Sequence, residues 1–522
     1  MIGLLCLDLG TSSAKTALFD LEGRRLAGAS APYPTLSTPD GGVEQEPEDW
    51  IRAARKAIAR STPPGVDIEA LCLTGQMQDL ILEGDHGAVR PAIIYSDPRA
   101  AREAREIRED LAHESIDWDA HCGNRQDATS CAAMFRRLAR TDPDAIDRTR
   151  ALTFGPAGHL AHRLGAGAWC DPTTASALGL LDAAARAWSP DVVRAAGIDP
   201  GLLPTLTSGP GQVVGSTNAD ARELIGLDAG VPIVLAPGDA GTATIGVTGL
   251  DTDRDHVSLG TSGWIAGIHR REEGPDATGG SPDGPSQHEA SHHLALGDGQ
   301  LRISAVLSAG AAAAWARETF LRGMGSFIAD QRLEHRAREH GRGPTGLLFV
   351  PALAGERYPV RDDGMRAALM GLDARMDAVD LYAGVLEGVA FALSHALTDT
   401  SSRIEVGAQE PVDPMAPMTV VGGGAASVPW RRILADVFDR PIHLPRVAGA
   451  SSDAEAQLEA TLIGAAIAGA EALGLDHRIT PLAEREGEVL FPDPSAAAAY
   501  AELRPAHRAL YDAAARIGRM RR

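Results

Sequence analysis

The chain has 522 residues, 44% apolar and 23% charged, a composition ordinary for a soluble globular protein and a length that calls for two domains of comparable size. Its 49 basic and 70 acidic residues leave a formal charge of −21, which excludes a broad nucleic-acid or anionic-membrane surface. The five cysteines (Cys6, Cys72, Cys122, Cys131, Cys170) lack metal-ligand or disulfide spacing, no secretion signal is visible, and no apolar run reaches about 18 residues, so a cytoplasmic protein without a membrane span is expected.

Strand-like apolar runs alternate with Ala/Arg/Glu-rich helical stretches throughout, which predicts an α/β architecture. In chain order, strands are expected over 2–7, 15–19, 70–74 and 233–236, with helices over 47–60, 98–112 and 129–140. Beyond these come strands over 257–259, 347–350 and 418–421 and helices over 309–320, 377–397 and 428–439. The Gly/Pro/Ser/Asp-rich segment 272–287 reads as a loop or insertion. A boundary between halves is expected near 249–255, giving domains 1–249 and 250–522.

Leu-Gly-Thr-Ser occurs twice, at Leu9–Ser12 and Leu259–Ser262, each time after an apolar run. A turn of Gly and hydroxyl residues after a strand gathers backbone N–H and O–H groups into a small concavity suited to phosphate oxygens. The first copy is no P-loop: Ala14 and Leu9 stand where that motif needs glycines, and a strand rather than a helix follows. It matches instead an actin-like phosphate clamp, whose carboxylate, here Asp8, holds the hydration shell of Mg²⁺; a turn role for Asp8 is equally open at this stage.

Pro237-Gly238-Asp239 follows a strand, where a carboxylate suits a general base for an attacking hydroxyl or a helix N-cap. Gly422-Gly423-Gly424-Ala425-Ala426-Ser427 allows close approach of a flat ligand ahead of a helix N-terminus. His288-Glu289-Ala290-Ser291-His292 copies the zinc-protease pattern, but Gly284-Pro285-Ser286 upstream and strand-like Leu294–Leu296 downstream deny it the required helix, so a solvated loop is expected.

These pieces together resemble the FGGY carbohydrate kinases, from Met1 to about Gly474. The resemblance is carried by Leu7–Ser12, Val43–Trp50, Thr74–Met77, Gly238-Asp239, Val257–Gly263, Leu353–Pro359, Gly384–Phe391 and Gly422–Ser427 in that order. It implies two actin-like (ribonuclease H-like) domains around a central cleft and an ATP- and Mg²⁺-dependent kinase acting on a sugar. It further implies Asp239 as general base, Asp8 assisting Mg²⁺ through water, and Thr11, Ser12, Ser13 and Lys15 near the transferring phosphate. Gly260 and Thr261 would form the opposing turn, while Gly310, Gly424, Ala425 and Ser427 would surround the nucleotide. Gln76, Met77, Gln78, Asp97 and Asp239 would line the sugar pocket.

The xylulose-kinase branch fits best, at Val257–Gly263 and Gly384–Phe391, so a pentulose such as D-xylulose is the first expected substrate. Ala354–Pro359 and the altered Gln78 and Ala240 keep gluconate or another four- to seven-carbon sugar or polyol as the alternative. Gln78 stands where many xylulose kinases carry histidine, Ala240 where they carry asparagine, and Met134–Arg137 lacks the family's Lys-x-x-Trp. Asp97-Pro98 also suits a helix start. A non-catalytic actin-like ATP-binding protein is the distant alternative, disfavoured by the presence of both Asp8 and Asp239. No nucleic-acid or membrane partner is expected, and a homodimer is left open.

Overall fold

The computed structural model describes residues 2–252, 254–270, 290–404, 416–446 and 453–520. Its frame is two large sheets. The first contains β1 (Ile2–Leu9), β2 (Ser13–Phe19), β3 (Arg25–Pro32), β4 (Asp67–Gly75), β5 (Gln212–Ser216) and β6 (Pro232–Leu235), in the order β5-β6-β4-β1-β2-β3. The second contains β7 (Arg254–Leu259), β8 (Gly263–His269), β9 (His292–Leu296), β10 (Gly299–Val306), β11 (Met418–Val421), β12 (Ile442–Pro445) and β13 (Gly487–Leu490). Its order is β9-β10-β8-β7-β11-β12-β13.

The two sheets share one plan. A central strand (β1 or β7) pairs antiparallel with the next strand in the chain on one side and parallel with a later strand (β4 or β11) on the other. The two Leu-Gly-Thr-Ser copies therefore occupy the same place in each half, at the turn leaving the central strand. Such a repeated sheet is the actin-like architecture, and the fold class expected from the resemblance holds.

Strand periodicity decides what faces the cleft. Leu5, Leu7 and Leu9 join a core with Trp50, Ile51 and Ile58 of α1 (Pro47–Ser61). Leu4 and Cys6 point to the opposite face, into a cluster that also holds Ile245 and, from the second half, Ala266, Val421 and Ile463. Asp8 shares the parity of Leu4 and Cys6, so the register that buries the apolar residues also turns its carboxylate toward the second half.

Five further helices frame the site: α2 (Ala101–His113), α3 (Cys131–Thr141), α4 (Asp239–Thr248), α5 (Gly310–Phe320) and α6 (Val428–Phe438). A sixth, α7 (Asp453–Ala472), packs on α4, β1 and β4, so late chain covers the first sheet. Between α4 and α7 backbone meets backbone. A Cβ on Gly246 would lie 1.8 Å from the Ala460 carbonyl oxygen, and one on Gly464 would lie 1.9 Å from that of Thr242.

Most expected elements fall within a few residues of those observed. The helix expected from Pro98 begins at Ala101 instead, because the Asp97 carboxylate folds back onto the Arg99 backbone N–H and guanidinium. The helix expected to end at Leu397 continues to Ile404. The segment 272–287 lies outside the described residues.

Candidate active site

β1 ends its apolar run at Asp8, which is 4% exposed, and the antiparallel register places Lys15 directly across from it. Lys15 Nζ lies 3.7 Å from Asp8 Oδ2, while buried Oδ1 has no protein partner among the described residues. Burial raises the Asp8 carboxyl above its ordinary range, and Lys15 opposes that rise. The turn itself is braced from outside: the Tyr33 hydroxyl donates to the Gly10 carbonyl, and Gln45 Nε2 donates to that of Thr11 at 2.7 Å. The Thr11 hydroxyl lies 3.4 Å from that of Tyr95, with Ser12 exposed and Ser13 half-buried.

Asp239 stands at the first residue of α4. Gly238 supplies the cap position, and Asp239 Oδ1 accepts from the adjacent Ala240 N–H at 2.7 Å, so the side chain does not cap the helix. The turn before it is fixed by buried hydroxyls, with Thr74 and Thr242 donating to the Pro237 carbonyl at 2.7 and 2.5 Å. Asp171, a residue the sequence did not single out, accepts from the Gly238 N–H at 3.1 Å. Burial foremost, and the negative charge of Asp8 next, push the Asp239 carboxyl up to about 7. That repulsion couples Asp8 on β1 to Asp239 at the start of the helix that follows β6.

The segment Gln76–Asp79 lies against this turn. Met77 occupies the space a Cβ on Gly238 would need, at 2.2 Å. Gln76 is 3% exposed; its Nε2 donates to Gln45 Oε1 at 2.8 Å and its buried Oε1 has no protein partner among the described residues. Gln45, quoted in the Val43–Trp50 segment but given no role from the sequence, joins Gln76, Thr11 and the Trp50 indole N–H in one network. Gln78 holds a left-handed backbone (φ 65°) and donates through Nε2 to Thr129. Asp79 is buried, and burial raises its carboxyl well above the usual range, aided by the charge of Asp239.

Asp97 is 2% exposed and committed to scaffold contacts: it accepts from the Val43 N–H at 2.8 Å and pairs with Arg99 at 2.7 Å. Arg99 in turn pairs with Glu44 at 2.6 Å, tying the Val43–Trp50 segment to the start of α2.

In the second half, the Gly260-Thr261 turn receives the start of α5. The Gly310 N–H donates to the Gly260 carbonyl at 2.9 Å, and those of Ala309 and Ala311 to the Thr261 carbonyl at 3.1 and 3.0 Å. A Cβ on Gly310 would lie 2.4 Å from the Gly260 oxygen, so only glycine permits this approach. Gly424 packs on Leu259 and Trp430, where a Cβ would meet Leu259 Cγ at 2.6 Å, and Ala425 is buried beside it. Ser427 caps α6, accepting from the Trp430 N–H at 3.4 Å, and donates to Asp330 at 2.8 Å. Gly310 and Gly424 thus let the start of α5 and the turn before α6 close on the end of β7.

His288 and Glu289 lie outside the described residues, and His292 opens strand β9 rather than riding a helix, so the zinc-protease geometry is absent at that histidine. Among the described residues no group of three His, Cys, Asp or Glu could hold a metal, and no helix is long and apolar enough to cross a membrane.

Two sheets of one topology, each with a Gly-Thr-Ser turn leaving its central strand and the first carrying the buried Asp8, mark the chain as an actin-like fold. The chain belongs to the FGGY family of carbohydrate kinases: the family's N-terminal domain matches residues 3–246 and its C-terminal domain 257–473. It is thus an ATP-dependent carbohydrate kinase. A xylulose kinase from Streptomyces rubiginosus is 28% identical over 445 residues, covering 84% of each chain. The structure of a xyloylose kinase from Brucella ovis superposes with a TM-score of 0.79 at 26% identity, over 98% of this chain and 99% of that one. A gluconate kinase from Lactobacillus acidophilus shares the fold, with a TM-score of 0.80 at 22% identity over 98% of each chain.

Proposed function

We propose that this kinase phosphorylates a hydroxyl of a pentulose such as D-xylulose, with Asp239 as general base and Mg-ATP as donor. The observation that carries the reading is Asp239 itself: a half-buried carboxyl at the first residue of a helix, its Oδ1 accepting from the Ala240 N–H at 2.7 Å, pushed up to about 7 by desolvation and the charge of Asp8. A carboxylate so poised can take a hydroxyl proton near neutral pH, which one at its ordinary value does poorly. The xylulose kinases among the relatives support the pentulose.

The orphaned Asp8 Oδ1 suits a hydrated Mg²⁺, which keeps several waters and asks for few protein carboxylates. When bound, the metal and nucleotide supply the activated phosphoryl group. Asp8 would hold the metal through water. Lys15 and the hydroxyl and amide groups of Thr11, Ser12, Ser13, Gly260 and Thr261 would offset charge on the phosphates. Gly310, Gly424, Ala425 and Ser427 would border the nucleotide, and Gln76, Met77, Gln78, Asp97 and Asp239 the sugar, Asp97 doing so while bound to Val43 and Arg99. We place the boundary between the two domains at 249/250 and the protein in the cytoplasm.

Gluconate or another four- to seven-carbon sugar or polyol is the second reading, suggested by Gln78 and Ala240 in place of the expected histidine and asparagine; of these, a neutral sugar or polyol suits the Gln78 amide better than the gluconate carboxylate. An ADP-release screen across pentuloses, hexuloses, aldonates and polyols separates the two. Fastest turnover with D-xylulose is expected; release equally fast without any acceptor would sink both readings.

A further inference from the structure

The sugar-side residue Gln78 is held by a chain of hydrogen bonds that ends in the other half of the molecule. Its Nε2 donates to the Thr129 carbonyl at 2.8 Å and lies 3.1 Å from the Thr129 hydroxyl. The Thr129 N–H and hydroxyl donate to Asp127 Oδ1 at 2.9 and 2.8 Å. The remaining carboxylate oxygen, Asp127 Oδ2, accepts from Arg361 Nη2 at 2.8 Å. Arg361 follows the Leu353–Pro359 segment of the second half, 234 positions along the chain from Asp127.

The donor directions in this chain are forced. A carbonyl only accepts, so the Gln78 amide must turn its nitrogen toward Thr129. The single hydroxyl proton of Thr129 goes to Asp127, a carboxylate that stays ionised because Thr129 and Arg361 hold its carboxyl below the usual range despite burial. The Thr129 hydroxyl is thereby left as an acceptor for the second Gln78 N–H. With both amide protons spent, the group Gln78 can turn to a ligand is its carbonyl Oε1, which accepts from a hydroxyl and rejects an anion.

The same seam carries other bonds between the halves. Asn124 Nδ2 donates to the His293 carbonyl at 2.7 Å and its Oδ1 accepts from the His293 N–H at 2.8 Å. Thr173 donates to the Ala295 carbonyl at 2.7 Å. Arg361 thus meets Asp127 close to where Asn124, Thr173 and Ser176 bond to the edge strand β9.

We propose that Arg361 is a positioning residue for the sugar pocket. Through Asp127 it steadies the Thr129 segment whose carbonyl and hydroxyl make Gln78 an obligate hydrogen-bond acceptor, and that bracing exists only while the two halves meet along this seam. The inference rests on the reading of Gln78 as a sugar-side residue and assigns the selection it makes: a neutral polyhydroxyl group at that position over a carboxylate.

The test compares Arg361→Ala, Arg361→Lys, Gln78→Ala and the Arg361→Ala/Gln78→Ala double variant, each first checked for folding by thermal melting. Initial rates are taken with D-xylulose and D-gluconate as acceptors, together with the best acceptor from the screen. Arg361→Ala should raise the KM for the neutral sugar by about tenfold, the scale of one hydrogen bond to a charged group, with KM for ATP within about twofold. It should also narrow the preference for the neutral sugar over the aldonate. Arg361→Lys should recover most of the loss, and Arg361→Ala should add nothing further in the Gln78→Ala background. A KM rise that persists undiminished in that background, or an equal rise for ATP and sugar, would overturn the proposal. Absence of acceptor-dependent turnover in the unmodified enzyme would instead fail the assignment of the pocket itself.

Discussion

Replacing Asp239 by asparagine should stabilise the protein while abolishing turnover, and the gain should depend on pH. The Asp239 carboxyl is raised from an ordinary 3.8 to about 7, burial being the largest cause and Asp8 the next. The folded state therefore favours the protonated form: the stability it contributes is complete below about pH 4 and lost as pH rises through about 7. At 1.36 kcal/mol per pH unit, the ionised carboxylate costs the folded wild type up to about 4 kcal/mol at pH 8. Asparagine stays neutral and avoids that cost, so urea unfolding of the metal-free proteins should show Asp239→Asn the more stable at pH 8. The difference should shrink to well under about 1 kcal/mol at pH 4. Asp8→Asn, which removes the second cause, should give part of the same stabilisation. A difference independent of pH, or one larger at pH 4 than at pH 8, would refute both the elevated value and its use in catalysis.

Other perturbations probe the second half and the metal. Gly310→Ala drives a Cβ to within 2.4 Å of the Gly260 oxygen, so KM for ATP should rise roughly tenfold while KM for the sugar changes little in steady-state assays. Ser427→Ala removes the cap of α6 and the bond to Asp330, and should cost about 1 kcal/mol by chemical denaturation. Chelation with EDTA should bring ADP release to background and excess Mg²⁺ should restore it, with the melting temperature of the nucleotide-free protein unchanged. Gly464→Ala forces a methyl to 1.9 Å from the Thr242 oxygen and should destabilise by roughly 3 kcal/mol, read from the urea midpoint.

Local signals carried much of this architecture. The apolar runs at 2–7 and 257–259 marked the central strands, and the Gly-Thr-Ser turns after them are where the sheets place them. What the sequence hid depends on contacts far apart in the chain. Asp97-Pro98 reads as a helix start until Arg99 and Val43 claim the carboxylate, which delays the helix to Ala101. Gln45 lies in the Val43–Trp50 segment, which the resemblance marked without giving Gln45 a role, yet it braces the Gly10-Thr11 turn and Gln76 at once. Asp171 bonds a glycine 67 positions away. The strand Arg25–Pro32 escaped notice because Ala, Gly and Ser there blur the alternation that betrays a half-buried strand.

The glycine-to-glycine crossing of α4 and α7 also sets a mechanical limit. Gly246 lies seven residues from Asp239 along α4, a lever of about 10 Å at 1.5 Å per residue. Rotation of only about 5° about that crossing would swing the carboxylate by about 1 Å, a displacement that can cost about a hundredfold in rate. Long side chains between the helices would act as compliant shims and let such rotations pass. Bare backbone against backbone leaves nothing to compress, so the aim of the proposed base Asp239 is gauged from a helix drawn from the opposite half of the chain.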